Sequence, residues 1–286
     1  WKEIRMSDIE LIKKQPIIRR FLDVHHLDDS FIQENIIEML TWQESLKKCE
    51  GCLGLSYCRQ PLKGHRYQLS FTEDGLSESY GMCSYMREQE KMLAHVKNFR
   101  YTHMSTDDYL IDLKTLTQGM TSKQYLEAYA KVVRSLSAKK GIYLCGQAGV
   151  GKSYLLKGVA NHFAKQGKTV CFVKVPVWIA ECRDSMKDTQ WRQMNMAQLR
   201  WADVVIFDDI GAEYISPWTL NEIVFPILDV RMEQKKKTYF TSNYQWPELE
   251  SRYAACQKEG RVAANRILER IRALSDVVLL MGTSLR

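Results

Sequence analysis

The chain is 286 residues long, 45% hydrophobic and 26% charged, with a formal net charge of +7. This length predicts two domains with real cores. No run approaches the roughly 18 apolar residues of a membrane span, no signal peptide is visible, and scarce proline and glycine argue against long disordered tails. The chain starts at Trp1, so native residues are expected ahead of it.

In chain order, Ser7-Asp8 can cap a helix running through Lys14, with Pro16 ending it. Residues 28–48 predict a second helix, capped by Asp29 or Ser30, with Phe31, Ile32, Ile36, Met39, Leu40 and Leu46 mostly on one face. Such a stripe packs on its own domain or docks a partner protein.

Four of the eight cysteines, Cys49, Cys52, Cys58 and Cys83, fall in one short window. Cys49-Glu50-Gly51-Cys52 is a C-x₂-C pair, which presents two thiolates to one tetrahedral metal. With Cys58, His65 and Cys83 there are five candidate ligands for four positions. The expected site is structural zinc on Cys49, Cys52, His65 and Cys83, with Cys58 as the alternative fourth ligand. His65 is favoured because Lys63-Gly64-His65 is turn-like, whereas Cys58 ends an apolar run. A redox pair would need a surrounding βαβ pattern, which is missing. Cys145 and Cys171 fall in strand-like runs and read as small buried hydrophobes. Disulfides are not expected in a cytoplasmic protein.

The predicted organisation is a helical, zinc-binding domain over 1–104, a polar linker over 105–120, and an α/β domain over 121–286. In the last, a helix near 122–138 is capped by Thr121 or Ser122. Strands follow near 142–145, 170–175, 204–208, 238–242 and 277–281, with helices between them. That alternation predicts a five-stranded parallel sheet covered on both faces.

Gly146-Gln-Ala-Gly149-Val150-Gly151-Lys152-Ser153 joins the first of these strands to a helix. It is a complete G-x-x-x-x-G-K-[ST] phosphate-binding loop. Its glycines let backbone N–H groups approach a polyphosphate, Lys152 reaches the β- and γ-phosphates, and Ser153 ligates Mg²⁺. Tyr154 opens the helix and completes the expected ATP-binding set. Asp203-Val-Val-Ile-Phe-Asp208-Asp209 is a buried strand ending in two carboxylates. Asp208 is placed to hold Mg²⁺ and Asp209 to orient the attacking water. Many ATPases carry a glutamate at the second position, so the shorter aspartate predicts slow turnover. Lys237-Thr-Tyr-Phe-Thr-Ser242-Asn243 is another buried strand, and Asn243 at its C-terminal end faces the ligand crevice of such a sheet.

Charge is uneven. Residues 1–130 hold 17 basic and 19 acidic side chains, and residues 131–286 hold 24 and 15. A basic surface attracts phosphate backbones, so contact with single-stranded DNA is expected of the second half.

The run Phe207-Asp208-Asp209-Ile210-Gly211-Ala212-Glu213 resembles the bacterial replicative helicase loaders of the DnaI/DnaC type. These are AAA+ ATPases related to transposition helper proteins. Asn265-Arg266-Ile-Leu-Glu-Arg270-Ile-Arg272-Ala-Leu274 matches their arginine-rich helix. The resemblance implies a P-loop AAA+ core, with Arg270 as an arginine finger reaching a neighbouring loader subunit's ATP. It implies Arg286 as the second sensor on its own subunit's nucleotide. The cysteine cluster is similar to the DnaI side of the family, whose zinc domain binds the replicative helicase hexamer. One departure stands out: few residues follow the last strand, so the helical lid common in AAA+ proteins is not expected, and a monomer should bind ATP weakly. The alternatives are a transposase-assisting ATPase and a zinc-bearing adaptor that binds nucleotide without turnover.

Overall fold

The computed structural model describes residues 6–73, 75–256 and 261–282. The chain divides into two compact units, Trp1–Met92 and Leu93–Arg286.

The first unit begins with four helices, α1 (Met6–Lys13), α2 (Pro16–Val24), α3 (Asp29–Glu34) and α4 (Ile36–Cys49). Pro16 ends nothing itself. It opens α2 in the first turn, where a missing N–H costs nothing. The single helix expected over 28–48 is broken at Asn35, whose φ of −118° and ψ of 37° are not helical. Its cap is Asp28 rather than Asp29 or Ser30, accepting from the Ser30 and Phe31 N–H groups. Beyond the cysteine loop, β1 (His65–Thr72) and β2 (Gly75–Met82) form an antiparallel hairpin, and α5 (Ser84–Leu93) follows. Tyr67 and Leu69 of β1 are buried with Ile32, Met39, Trp42 and Leu46.

The second unit is a six-stranded sheet in the order β3-β5-β6-β7-β4-β8, parallel throughout. Its elements are β3 (Phe99–Thr102), α6 (Lys123–Ser135), β4 (Gly141–Cys145), α7 (Lys152–Lys165), β5 (Val170–Lys174), α8 (Val175–Asp184), α9 (Thr189–Trp201), β6 (Val204–Asp208), α10 (Phe225–Glu233), β7 (Lys237–Ser242), α11 (Trp246–Ala255), α12 (Arg261–Leu274) and β8 (Ser275–Leu279). Ser122 caps α6 by accepting from Tyr125 N–H. The central strands are buried along their length, which is why they read as unbroken apolar runs. One face is covered by Leu155, Leu156, Val159 and Phe163 of α7, with Val132 of α6. Trp178, Leu199, Ile227 and Leu268 cover the other.

Two expectations are corrected here. The sheet has a sixth strand, β3, paired with β5 from Phe99↔Val170 to Thr102↔Phe172. The boundary expected at 104 therefore lies at 92/93, and residues 105–120 are no linker. Met104, Ile111, Leu113 and Leu116 are buried in the core of the second unit. Asn161 of α7 donates to the Asp108 and Ile111 carbonyls, each at 2.8 Å, and Lys157 pairs with Asp108. The apolar anchors here are spaced too irregularly to read as an element.

Arg231 is wholly buried at the end of α10. Its guanidinium donates to the Leu199, Ala202 and Lys237 carbonyls and to Thr238 Oγ1, closing the C-terminal end of α9. Burial pulls its pKa down to about 9. Among the described residues no helix follows β8. Arg286 lies outside the described residues.

Candidate nucleotide-binding site

The site stands at the C-terminal ends of β4, β6 and β7, around the N-terminus of α7. Gly146 and Gly151 do different work in its loop. A Cβ on Gly146 would lie 1.9 Å from the Leu280 carbonyl oxygen, so only glycine lets the loop leave β4 past the chain beyond β8. Gly151 takes the left-handed conformation, φ 92°, that turns the chain into α7. The first-turn N–H groups of α7 then point into a cavity of about 490 Å³, lined by Gly149, Gly151, Lys152, Ser153, Tyr154, Asp209 and Asn243, among others. A helix N-terminus with free N–H groups is an anion site.

Lys152 is 5% exposed. Its Nζ donates to the Gly146 carbonyl, the Gln147 carbonyl and Asn243 Oδ1, each at 2.8 Å. The loop lysine and Asn243 are thus directly joined, 91 residues apart in sequence. Gly146 and Val150 do not line the cavity. Val150 is buried beside Met120, Tyr125 and Leu280 around a smaller crevice, and Met120 and Tyr125 line the main cavity too.

Asp208 is 2% exposed and lies beneath the cavity wall. Its carboxylate is hydrogen-bonded to the Ser153 side chain and accepts from Thr241 Oγ1 at 2.7 Å. Burial holds its pKa above the usual carboxylate value and the Asp209 charge adds to this, while the two hydroxyls oppose it. Asp209 reaches the cavity with its backbone in the left-handed region, φ 60°. Its N–H donates to Thr241 Oγ1 at 2.8 Å. The loop beyond is anchored by Glu213, 3% exposed, which accepts from Gly211 N–H and the Tyr253 hydroxyl.

The predicted residues Lys152, Ser153, Asp209 and Asn243 therefore line one cavity, with Asp208 buried close behind its wall. Thr241, Met120 and Tyr125 were missed. A polar Thr-Ser pair following Tyr239-Phe240 at the end of β7 is the signal for the first, and nothing local marks the other two. Arg270 does not line this cavity. On α12 it donates from Nε to Asp229 Oδ1 at 2.9 Å and lies over the Phe225 ring, which Arg266 also covers.

In the first unit, Cys49, Cys52, Cys58, His65 and Cys83 all line one cavity of about 190 Å³. Cys58 Sγ accepts from Gly64 N–H at 3.3 Å and Cys83 Sγ from Met86 N–H at 3.4 Å. The Gly64 hydrogen bond, followed by that from Gln60 N–H, lowers the Cys58 pKa. His65 directs Nδ1 to the Lys63 carbonyl at 3.1 Å. Among the described residues no three His, Cys, Asp or Glu side chains are arranged closely enough to hold a metal ion as they stand. No helix is long and apolar enough to cross a membrane among them either.

The comparisons with known proteins fit this geometry. The chain is similar to the replicative helicase loader DnaI of Bacillus subtilis (strain 168), 26% identical over 97% of this chain and 91% of DnaI. The crystal structure of DnaI superposes with a TM-score of 0.58 at 29% identity, covering 65% of this chain and 98% of that one. A putative primosome component from Streptococcus pyogenes serotype M3 gives 0.55 at 26% identity, covering 68% of this chain and all of its own. Residues 80–286 match the family of IstB-like ATP binding proteins, and the chain belongs to that family.

Proposed function

We propose that this protein is an ATP-hydrolysing loader that binds a replicative helicase hexamer and helps place it on single-stranded DNA. The observation that carries the reading is that the likeness to the loader DnaI runs through both units, 97% of this chain. The family match, in contrast, covers residues 80–286 and would suit a transposase-assisting ATPase equally well.

In this reading the α7 N–H groups and Lys152 hold the phosphates, and a γ-phosphate competes with Asn243 for the lysine. Ser153 and Asp208 hold the Mg²⁺ that neutralises phosphate charge. Asp209 orients the attacking water, and Asn243 senses the γ-phosphate. Met120 and Tyr125 offer the base an apolar wall. Arg270 acts on the ATP of a neighbouring subunit, and Arg286 on that of its own. Turnover is slow, and ATP serves mainly to control assembly.

The first unit grips the helicase. Its cysteine cavity takes one structural zinc on Cys49, Cys52, Cys58 and Cys83. Cys58 takes the fourth position in this set because backbone N–H donors already favour its thiolate, and His65, whose Nδ1 on the Lys63 carbonyl leaves Nε2 free, is the alternative fourth ligand. N–H···S bonds of this kind are the outer support that metal-bound thiolates use.

The test is co-purification of the full chain with the cell's replicative helicase, with and without ATP, beside single-stranded DNA binding across a salt series. A loader holds the helicase and binds DNA with log K falling by about 0.7 per phosphate contact for each unit of log salt. A chain that hydrolyses ATP but ignores the helicase is not a loader.

A further inference from the structure

We propose that Thr241 is the positioning residue that sets both acidic side chains of the site, fixing Asp208 toward Ser153 and Asp209 into the cavity. The inference rests on the ATP-hydrolysing reading above. A threonine hydroxyl has one proton to give and lone pairs to receive. Here the proton goes to Asp208 Oδ1 at 2.7 Å, and a lone pair receives the Asp209 N–H at 2.8 Å. Thr241 is wholly buried, so no solvent replaces either partner.

The second bond matters because of the Asp209 backbone. At φ 60° it sits where a non-glycine residue is uncommon and persists only when its surroundings hold it. The surroundings are the end of β7. Besides the hydroxyl contact, Ile210 N–H donates to the Thr241 carbonyl at 2.9 Å, and Ser242 Oγ donates to the Ile210 carbonyl at 2.7 Å. Thr241 thus supplies two of these three bonds by which β7 holds the turn beyond β6. The turn in its left-handed form sends successive carboxylates different ways, Asp208 to Ser153 and Asp209 to the cavity. The neighbouring strand, rather than the acidic strand itself, sets the geometry of the pair.

Valine has the shape of threonine without the hydroxyl. It leaves a carboxylate oxygen and a backbone N–H unpaired in the same place, and the turn can relax to relieve them. A reacting group displaced by about 1 Å loses about 100-fold in rate. Phosphate binding by α7 and Lys152 does not pass through Thr241.

The experiment compares full-length wild type, Thr241→Val, Thr241→Ser and Thr241→Cys. It measures magnesium-dependent ATP hydrolysis, fluorescent ATP affinity and circular dichroism. The expected result for Thr241→Val is kcat down about 100-fold, with ATP affinity little changed. Thr241→Ser recovers most of the rate, and Thr241→Cys, similar in size with a weak thiol donor, falls well below serine. In an Asp209→Asn background, Thr241→Val adds little further loss if it acts through Asp209. The proposal is overturned if folded Thr241→Val hydrolyses ATP like wild type, or if serine is as poor as valine. If valine does not fold, equal rates for serine and cysteine overturn it. Wild type that binds ATP but never hydrolyses it sinks the ATPase reading itself, and this proposal with it.

Discussion

In residues 93–286 the candidate phosphate-binding groups stand at the ends of strands buried on both faces and on the first turn of α7. In residues 1–92 the cysteines stand on loops and element ends around a hairpin with one wet side. Lys152, Asp208 and Asn243 are held there by hydrogen bonds to loop carbonyls and to side chains at the end of β7. The cysteine cavity has its donors gathered but not closed on one point. The comparison teaches that a paired strand end can preorganise side chains by itself, whereas a small loop-built cluster gathers its donors without closing them. Charge divides the same way: 13 basic and 15 acidic residues in the first unit against 28 and 19 in the second. The unit with the phosphate site is the electropositive one.

The strongest way to break this comparison is to remove metal from the full chain with a strong chelator. Structural zinc in small peptides contributes on the order of 10 kcal/mol to folding. The first unit is expected to lose structure while the second keeps its nucleotide binding. Metal analysis should find one zinc per chain, lost on Cys58→Ser and retained on His65→Ala. Retention on Cys58→Ser and loss on His65→Ala would return the fourth position to the histidine. A chain with no zinc, or a chelator without effect, removes the metal from the picture.

How much was legible follows from the same contrast. The phosphate loop, the acidic strand and Asn243 were readable because each sits where an apolar run stops, and buried parallel strands write themselves as such runs. The hairpin was not: Gly75–Met82 reads Gly-Leu-Ser-Glu-Ser-Tyr-Gly-Met, and half of it is exposed. Strand β3, only four residues long, hides in a polar stretch and belongs to the sheet solely through its pairing with β5. Thr241 was passed over for Asn243, since a strand threonine is ordinarily a packing residue. Its importance comes from a partner strand 33 residues away in sequence. The choice between His65 and Cys58 rested on turn propensity, and both side chains line the same cavity.

Within the second unit, Lys152→Ala should abolish productive ATP binding with the circular dichroism spectrum unchanged. Its bonds to the loop carbonyls and to Asn243 are local to the site, so the fold survives while the phosphates lose their cation. A folded variant that still binds ATP would remove the phosphate-loop assignment. Arg270→Ala sharpens the same point from outside the cavity. It should keep ATP affinity and lose about 10³-fold in hydrolysis. Mixing in Lys152→Ala subunits, whose Arg270 is intact, should restore part of the rate. No recovery would mean that Arg270, held by Asp229 and Phe225, is structural.

Arg231→Met tests how much the second unit owes to one buried cation. The substitution keeps most of the volume but leaves the Leu199, Ala202 and Lys237 carbonyls without their donor. Buried acceptors left unpaired cost about 1–3 kcal/mol each. A loss of about 3 kcal/mol is expected, since water can reach part of this site once the guanidinium is gone. Urea unfolding followed by nucleotide fluorescence reads it. An unchanged midpoint would show that α9 needs no such closure.

The smallest effect is a pH dependence. Burial raises the Asp208 pKa, so the folded chain takes up a proton there more readily than the unfolded chain does. The sign follows by linkage: this group's contribution to stability is present below the ordinary carboxylate value of 3.8 and is lost as pH rises through the raised one. Magnesium has the opposite preference, because it needs the carboxylate. Magnesium-dependent ATP binding should therefore weaken as pH falls, beginning above 3.8, and more steeply than ATP binding measured in a chelator, which follows only the protonation of ATP's own phosphate. Asp208→Asn removes both trends, since asparagine keeps an acceptor for Thr241 but takes no proton. It should raise the urea midpoint slightly at neutral pH, with the gain vanishing toward pH 4. If the asparagine variant is instead less stable than wild type at neutral pH, the Asp208 charge is held by its hydroxyl partners more strongly than burial opposes it, and the expected direction of the trend is wrong.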